Sequence, residues 1–211
     1  MDDAQNIELS PEAPPSEALE TGSADAPAET PAPAEAGHPH RRGMLIFCPH
    51  RVVESVAQIT PEELAERGIQ GIILDLDNTL VLWQKEEMTE EVLAWLASLK
   101  AAGFKLSILS NSILSRRSER IAERLGCPNI RKARKPSRSG FHRAMAAMGT
   151  TPHNTAIIGD QMFTDIWGGN RCGIYTIMVK PIHPREFPYT RYVSRPLERF
   201  LLNRFNRQGH I

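Results

Sequence analysis

Short, unbroken apolar runs alternate along this chain with longer stretches in which apolar residues recur at the helical period. Ile72-Ile73-Leu74, entered through Gly71, is such a run and has the pattern of a strand buried on both faces. Further runs stand at 104–109, 129–133, 155–158 and 174–179. Between them, 89–102 carries Val92, Leu93, Trp95, Leu96 and Leu99 on one side and closes at Gly103, which predicts a helix. Helices are also predicted from Ser112 or Ser115 to Leu125, over 137–148 up to Gly149, and, short, over 164–170. Thr60-Pro61-Glu62-Glu63 reads as a capped helix start with proline at the first helical position, and Gly68 ends that helix. Order is expected to begin near Met44. Buried strands alternating with helices predict an α/β fold, a parallel sheet covered on both faces. Right-handed crossovers bring every strand's C-terminal end to one edge, and ligands of such sheets bind there.

The residues that follow the strands are therefore the ones that carry chemistry. Asp75-Leu76-Asp77-Asn78-Thr79 follows the first, Ser110-Asn111 the second, Lys132-Ala133-Arg134-Lys135-Pro136 the third, and Gly159-Asp160-Gln161 with Thr164-Asp165 the fourth. Four elements thus deliver carboxylates, a hydroxyl and a cationic cluster to a single edge. Clustered carboxylates repel one another and call for a cation, and oxygen-only donors select a hard one, Mg²⁺ with phosphate being the common case. A carboxylate can attack phosphorus, and a second carboxylate two residues away can move the proton of the leaving oxygen and then of water. Each aspartate alone reads more readily as a loop cap or turn residue; four such segments at corresponding strand ends do not. Asp75-x-Asp77-x-Thr79 also resembles the opening of an EF-hand loop, but Leu80 stands where that loop needs glycine and a strand precedes it. Neither of the glycine-rich nucleotide-binding loops is present.

These residues resemble the motifs of the haloacid-dehalogenase-like (HAD) phosphatases: Asp75-x-Asp77-x-Thr79, then Ser110, then Lys135, then Gly159-Asp160-x-x-x-Thr164-Asp165. Longer stretches about these motifs, within residues 45–183, are similar to the YqeG-type branch, class IIIA of the superfamily, akin to phosphatidylglycerophosphate phosphatases. The resemblance implies a three-layer, Rossmann-like HAD fold. It implies Asp75 as nucleophile, Asp77 as general acid/base, and Thr79, Ser110, Asn111 and Lys135 as substrate-binding residues, with Lys132 in reserve for Lys135. It implies Mg²⁺ bound by Asp75, Asp77 (through its backbone carbonyl) and Asp160, with Asp165 in support. The reaction implied passes through an aspartyl-phosphate and hydrolyses phosphatidylglycerophosphate to phosphatidylglycerol. A soluble sugar or nucleotide phosphate or a phosphoprotein is the alternative substrate, and a non-catalytic scaffold the alternative of another class. About ten residues separate Thr79 from the helix at Thr89, and 25 separate Ser110 from Lys135. Neither gap holds a cap domain, so an open site is expected.

Charge and composition change the picture at the two ends. Residues 1–40 hold nine acids and no Lys or Arg, which leaves the rest of the chain 25 basic against 16 acidic residues, or +9. With seven prolines among Ala and Glu, 1–43 reads as a disordered acidic tail. The phosphatase domain is placed at 44–183, and 184–211 is read as a basic amphipathic extension. Seven basic residues lie in 180–211 against Glu186 and Glu198, and Leu197, Phe200, Leu201 and Phe205 recur at helical spacing after Pro196. This helix either lies on anionic lipid or packs on the domain with its arginines solvated; both readings stand. The expected partner is a phosphorylated lipid head group or another phosphate ester, with no nucleic acid; the oligomeric state is not legible. The three cysteines form no disulfide framework or metal knuckle, and no stretch approaches the ~20 apolar residues that span a bilayer. A cytoplasmic location follows as the expectation, with the inner face of the membrane as its peripheral variant. Arg116 and Arg117 read as a solvated helix face or as contacts to a second phosphate, and Trp83 as packing or as a guard of the site.

Overall fold

The computed structural model describes residues 41–82, 85–111, 115–183 and 190–211. The expected tail lies outside these except for 41–43, and Trp83 lies outside them as well. Six strands, β1 (Arg51–Val53), β2 (Gly71–Leu74), β3 (Lys105–Leu109), β4 (Asn129–Ile130), β5 (Thr155–Gly159) and β6 (Tyr175–Val179), form one sheet in the order β1-β6-β5-β2-β3-β4. Every pairing is parallel. The helices are α1 (Pro61–Glu66), α2 (Glu90–Ala101), α3 (Ser115–Leu125), α4 (Arg138–Met148), α5 (Trp167–Cys172) and α6 (Arg195–Arg207).

Alternate strand residues enter opposite layers, because successive side chains of a strand point to opposite faces. Ile72, Leu74, Leu106, Ile108, Ala156 and Ile158 pack with Leu64 of α1 and with Val92, Trp95, Leu96 and Leu99 of α2. Ile73, Leu109 and Ile157 pack on the other side with Phe141, Ala144, Met145 and Met148 of α4. Sheet and two covers make the three layers expected. The capped starts are also present: Thr60 Oγ1 accepts from the Glu63 N–H and Thr89 Oγ1 from the Val92 N–H.

Three elements differ from the sequence expectation. Residues 129–133 give only a two-residue strand, since Lys132 and Arg134 adopt left-handed backbone (φ 48° and 51°) and turn the chain inward. The expected short helix at 164–170 is a π-helical turn, Met162–Ile166, running into α5. β1 was not foreseen; three residues at a sheet edge, Arg51-Val52-Val53, carry too short a pattern to read.

A third apolar cluster joins the sheet's β6 side to the chain's C-terminus. Leu201 and Phe205 of α6 pack with Cys48, Met162, Ile166 and Met178. Leu197 and Phe200, which share the helical spacing with them, face outward instead, Phe200 at 62% exposure. Among the described residues, α6 belongs to the same compact unit as the sheet. No helix among the described residues is long and apolar enough to cross a membrane.

Candidate active site

Register sets the site. Leu74 lies beside Ile158 on one side and Ile108 on the other, so the residues that leave these strands emerge side by side. The Asp75 N–H donates to the Ile158 carbonyl (3.0 Å), which carries the pairing one residue past the strand. Asp75, Asp160 and Asp165 are buried, with a ligand oxygen from each within 4.8 Å of the others. The π turn returns the chain so that the Gln161 N–H donates to Asp165 Oδ2 (3.1 Å). Gly159 makes room for this. A Cβ there would stand 2.5 Å from the Asp165 carboxyl carbon, closer than any side chain tolerates.

Lys135, not Lys132, enters the cluster. Its ammonium lies 2.5 Å from Asp75 Oδ1 and 2.7 Å from Asp165 Oδ1, while Lys132 is exposed at the turn. Asn111 holds this loop in place: its Nδ2 donates to the Lys135 carbonyl (3.1 Å) and its Oδ1 accepts the Lys135 N–H (2.7 Å). The structure thus gives Asn111, expected to touch substrate, a clamp on the lysine. Ser110 is buried at the end of β3, and Thr79 Oγ1 donates weakly to Asp160 Oδ1 (3.4 Å). Asp77 is half-buried, and Arg117 Nη2 reaches its Oδ1 at 2.6 Å. Of the two arginines read as a solvated face or a second phosphate contact, Arg117 meets a carboxylate of the site instead.

Two cations oppose three carboxylates at the centre. Burial pushes the Asp75 carboxyl up to about 7, with Lys135 pulling it down and Asp165 adding to the rise. Burial also holds Asp160 well above the ordinary carboxylate range, against the pull of Arg195. Burial alone would lower Lys135, but the carboxylates of Asp165 and Asp75 outweigh it and keep the ammonium above its usual value. Arg195 is shared with the buried Glu198 carboxylate, so it and Lys135 do not balance the acidic groups gathered here, and Asp75, Asp160 and Asp165 all offer hard oxygen donors. That donor set fits a divalent cation, which Asp75, Asp160 and Asp165 could hold.

Arg195 was missed by sequence reading. It comes from α6, 35 residues beyond Asp160, and no local pattern marks it. Arg117 was weighed for a different contact, since α3 carries several arginines and spacing does not say which one turns inward. Asn170, in α5, ties down the segment before β1: its Nδ2 donates to the carbonyls of Ile46 and Cys48.

The model of the haloacid dehalogenase-like hydrolases matches residues 60–173, more than half of the chain. The chain belongs to this family. It is 42% identical over 165 residues to the probable phosphatase YqeG of Bacillus subtilis (strain 168), covering 78% of this chain and 95% of that protein. It is 28% identical over 169 residues to the chloroplastic phosphatidylglycerophosphate phosphatase 1 of Chlamydomonas reinhardtii, covering 76% of this chain and 63% of that protein. The counterpart in Arabidopsis thaliana, described as chloroplastic/mitochondrial, is 27% identical with 49% of its length covered. The chain is a phosphatase of the HAD superfamily, built on a parallel α/β sheet.

Proposed function

We propose that this phosphatase works through an aspartyl-phosphate on Asp75, depends on Mg²⁺, and hydrolyses phosphatidylglycerophosphate to phosphatidylglycerol. The observation that carries the reading is the Lys135 ammonium seated between Asp75 and Asp165, with Asp160 in the same carboxylate cluster. The Asp75 carboxylate attacks phosphorus, and the bond from phosphorus to the glycerol oxygen breaks. Asp77 gives its proton to that oxygen. Asp77 then takes a proton from water, whose oxygen attacks the phosphorus of the acyl phosphate and frees inorganic phosphate and Asp75. Lys135 and Ser110 hold the phosphoryl oxygens, and Arg117 orients Asp77. Asp75, the Asp77 carbonyl and Asp160, with Asp165 in support, would hold Mg²⁺, which would supply neutralisation of the phosphoryl charge.

The lipid substrate has separate support. Residues 75–89 join β2 to α2 and 110–114 join β3 to α3, each too short to fold as a domain, which favours an open site. A cavity of about 430 Å³ lies at the same sheet edge, walled by Val52, Val53, Met178, Val179 and Leu202 and reached by Arg195. Lys180 and Arg199 also line it, together with Glu54 and Glu198, and Lys180 is paired with Glu54, so the cavity suits an apolar body with charges of both signs at its rim. Outward on α6, Leu197 and Phe200 stand among Arg199, Arg204 and Arg207, while the helix's single acid, Glu198, is turned inward. That face suits an anionic lipid surface.

The test is phosphate release from a panel of esters. Phosphatidylglycerophosphate in vesicles should be hydrolysed faster than sugar phosphates, nucleotides or a phosphopeptide. A soluble ester favoured over the lipid would move the substrate to that class, and silence on every ester with every divalent cation would leave a scaffold.

A further inference from the structure

Arg195 stands on a candidate ligand of the cation site yet belongs to the last helix of the chain. Its Nη1 donates to the main-chain carbonyl of Asp160 (2.6 Å), and its Nη2 bonds the Oδ2 of the same residue. Nη1 also donates to Glu198 Oε2 (2.8 Å). Glu198 is only 2% exposed, and its other oxygen accepts the Met162 N–H (3.0 Å), the first residue of the π turn that follows Asp160. The guanidinium is thus fixed from behind by the turn it helps to shape.

We propose that Arg195 is a positioning residue for the divalent-cation site and that α6 completes that site by delivering it. A fork gripping both the backbone and one carboxylate oxygen of Asp160 fixes the rotation of that side chain. One oxygen is held by the arginine; the other, Oδ1, which faces the Thr79 hydroxyl, is left for a ligand. Leu201 and Phe205 carry the same helix face into the cluster with Met162 and Ile166 and hold the helix in place. The alternative is that Arg195 serves only as counter-charge to Glu198 and as an anchor for the helix, with no consequence for the cation.

The inference rests on Asp75, Asp160 and Asp165 being the cation site, and the experiment separates the two claims. Mg²⁺ and Mn²⁺ binding to the full-length protein, free of substrate, is measured by titration calorimetry for wild type, R195A, R195K, L201A and D160N, each checked by circular dichroism. R195A should bind 10- to 100-fold more weakly, the usual effect of removing a group that orients a metal ligand. R195K should recover only part of this, because one ammonium cannot hold both atoms of Asp160. L201A removes apolar packing only; the bonds of Arg195 to Asp160 and Glu198 still seat the guanidinium, so affinity should stay near wild type. If R195A does not fold, R195K carries the measurement. Wild-type or tighter affinity in a folded Arg195 variant overturns the proposal, as does a loss that L201A reproduces at an equal drop in thermal midpoint. A wild-type protein that binds no divalent cation, or a D160N protein that binds it as well as wild type, would sink the site reading as well.

Discussion

To attack phosphorus Asp75 must be ionised, yet it sits where burial favours its protonated form. With its carboxyl pushed up to about 7 in the fold and in the ordinary carboxylate range when unfolded, the folded state binds the extra proton in between. Its contribution to stability is therefore full below about pH 4 and is lost progressively as pH rises to about 7. A divalent cation favours the ionised form and acts in the opposite direction. The cation-free protein should melt several degrees lower at pH 8 than at pH 5. Added Mg²⁺ should raise the midpoint much more at pH 8, as differential scanning fluorimetry would show. A cation effect equal at both pH values would contradict this. The gathering of Asp75, Asp77, Ser110, Lys135, Asp160 and Asp165 at one sheet edge was legible in the sequence because each follows a recognisable strand or its turn. Arg117 and Arg195 were not, because they arrive from helix faces, and a helix face shows its period without showing which arginine meets a carboxylate.

Elements position these groups through close approaches and through burial on one face. In Gly159→Ala the new Cβ would collide with the Asp165 carboxyl, so this change at the end of β5 should cost about 1–3 kcal/mol and most of the phosphate release. Chemical denaturation and a phosphate-release assay check the two parts. On α6, two phenylalanines separate packing from exposure. Phe205→Ala should cost about 3–5 kcal/mol, whereas Phe200→Ala should stay within about 0.5 kcal/mol of wild type in urea denaturation. The sequence pattern grouped Leu197, Phe200, Leu201 and Phe205 together; packing against Met162, Ile166 and Met178 selects only Leu201 and Phe205. Helical periodicity places apolar residues on neighbouring faces but does not fix the width of the buried stripe. For the same reason the third expected strand shortens to Asn129–Ile130: the left-handed turns at Lys132 and Arg134 serve the delivery of Lys135, a tertiary demand.

For the molecule as a whole, charge and the placement of α6 bear on where catalysis takes place. Outside its first forty residues the chain carries +9. The helix that grips Asp160 at its first residue presents Leu197, Phe200, Arg199, Arg204 and Arg207 outward along ~20 Å. A surface bound by that face would lie close to the open edge of the sheet. Vesicles containing anionic lipid should therefore sediment with the protein and zwitterionic vesicles should not. Binding should weaken steeply with salt, and it should fall about tenfold in a Leu197→Ser, Phe200→Ser variant whose turnover of a soluble aryl phosphate is unchanged. Equal binding to both kinds of vesicle would contradict a role for the arginines.

The reaction proposed here passes through a covalent bond between phosphorus and Asp75. Acid quenching of a turnover with ³²P-labelled substrate, followed by peptide mapping, tests it most directly. Label should be found on Asp75 in the wild type and absent in Asp75→Asn, a folded protein whose phosphate release falls on the order of 10³-fold or more. Turnover without labelled protein, together with an Asp75→Asn variant that keeps the wild-type rate, would contradict it.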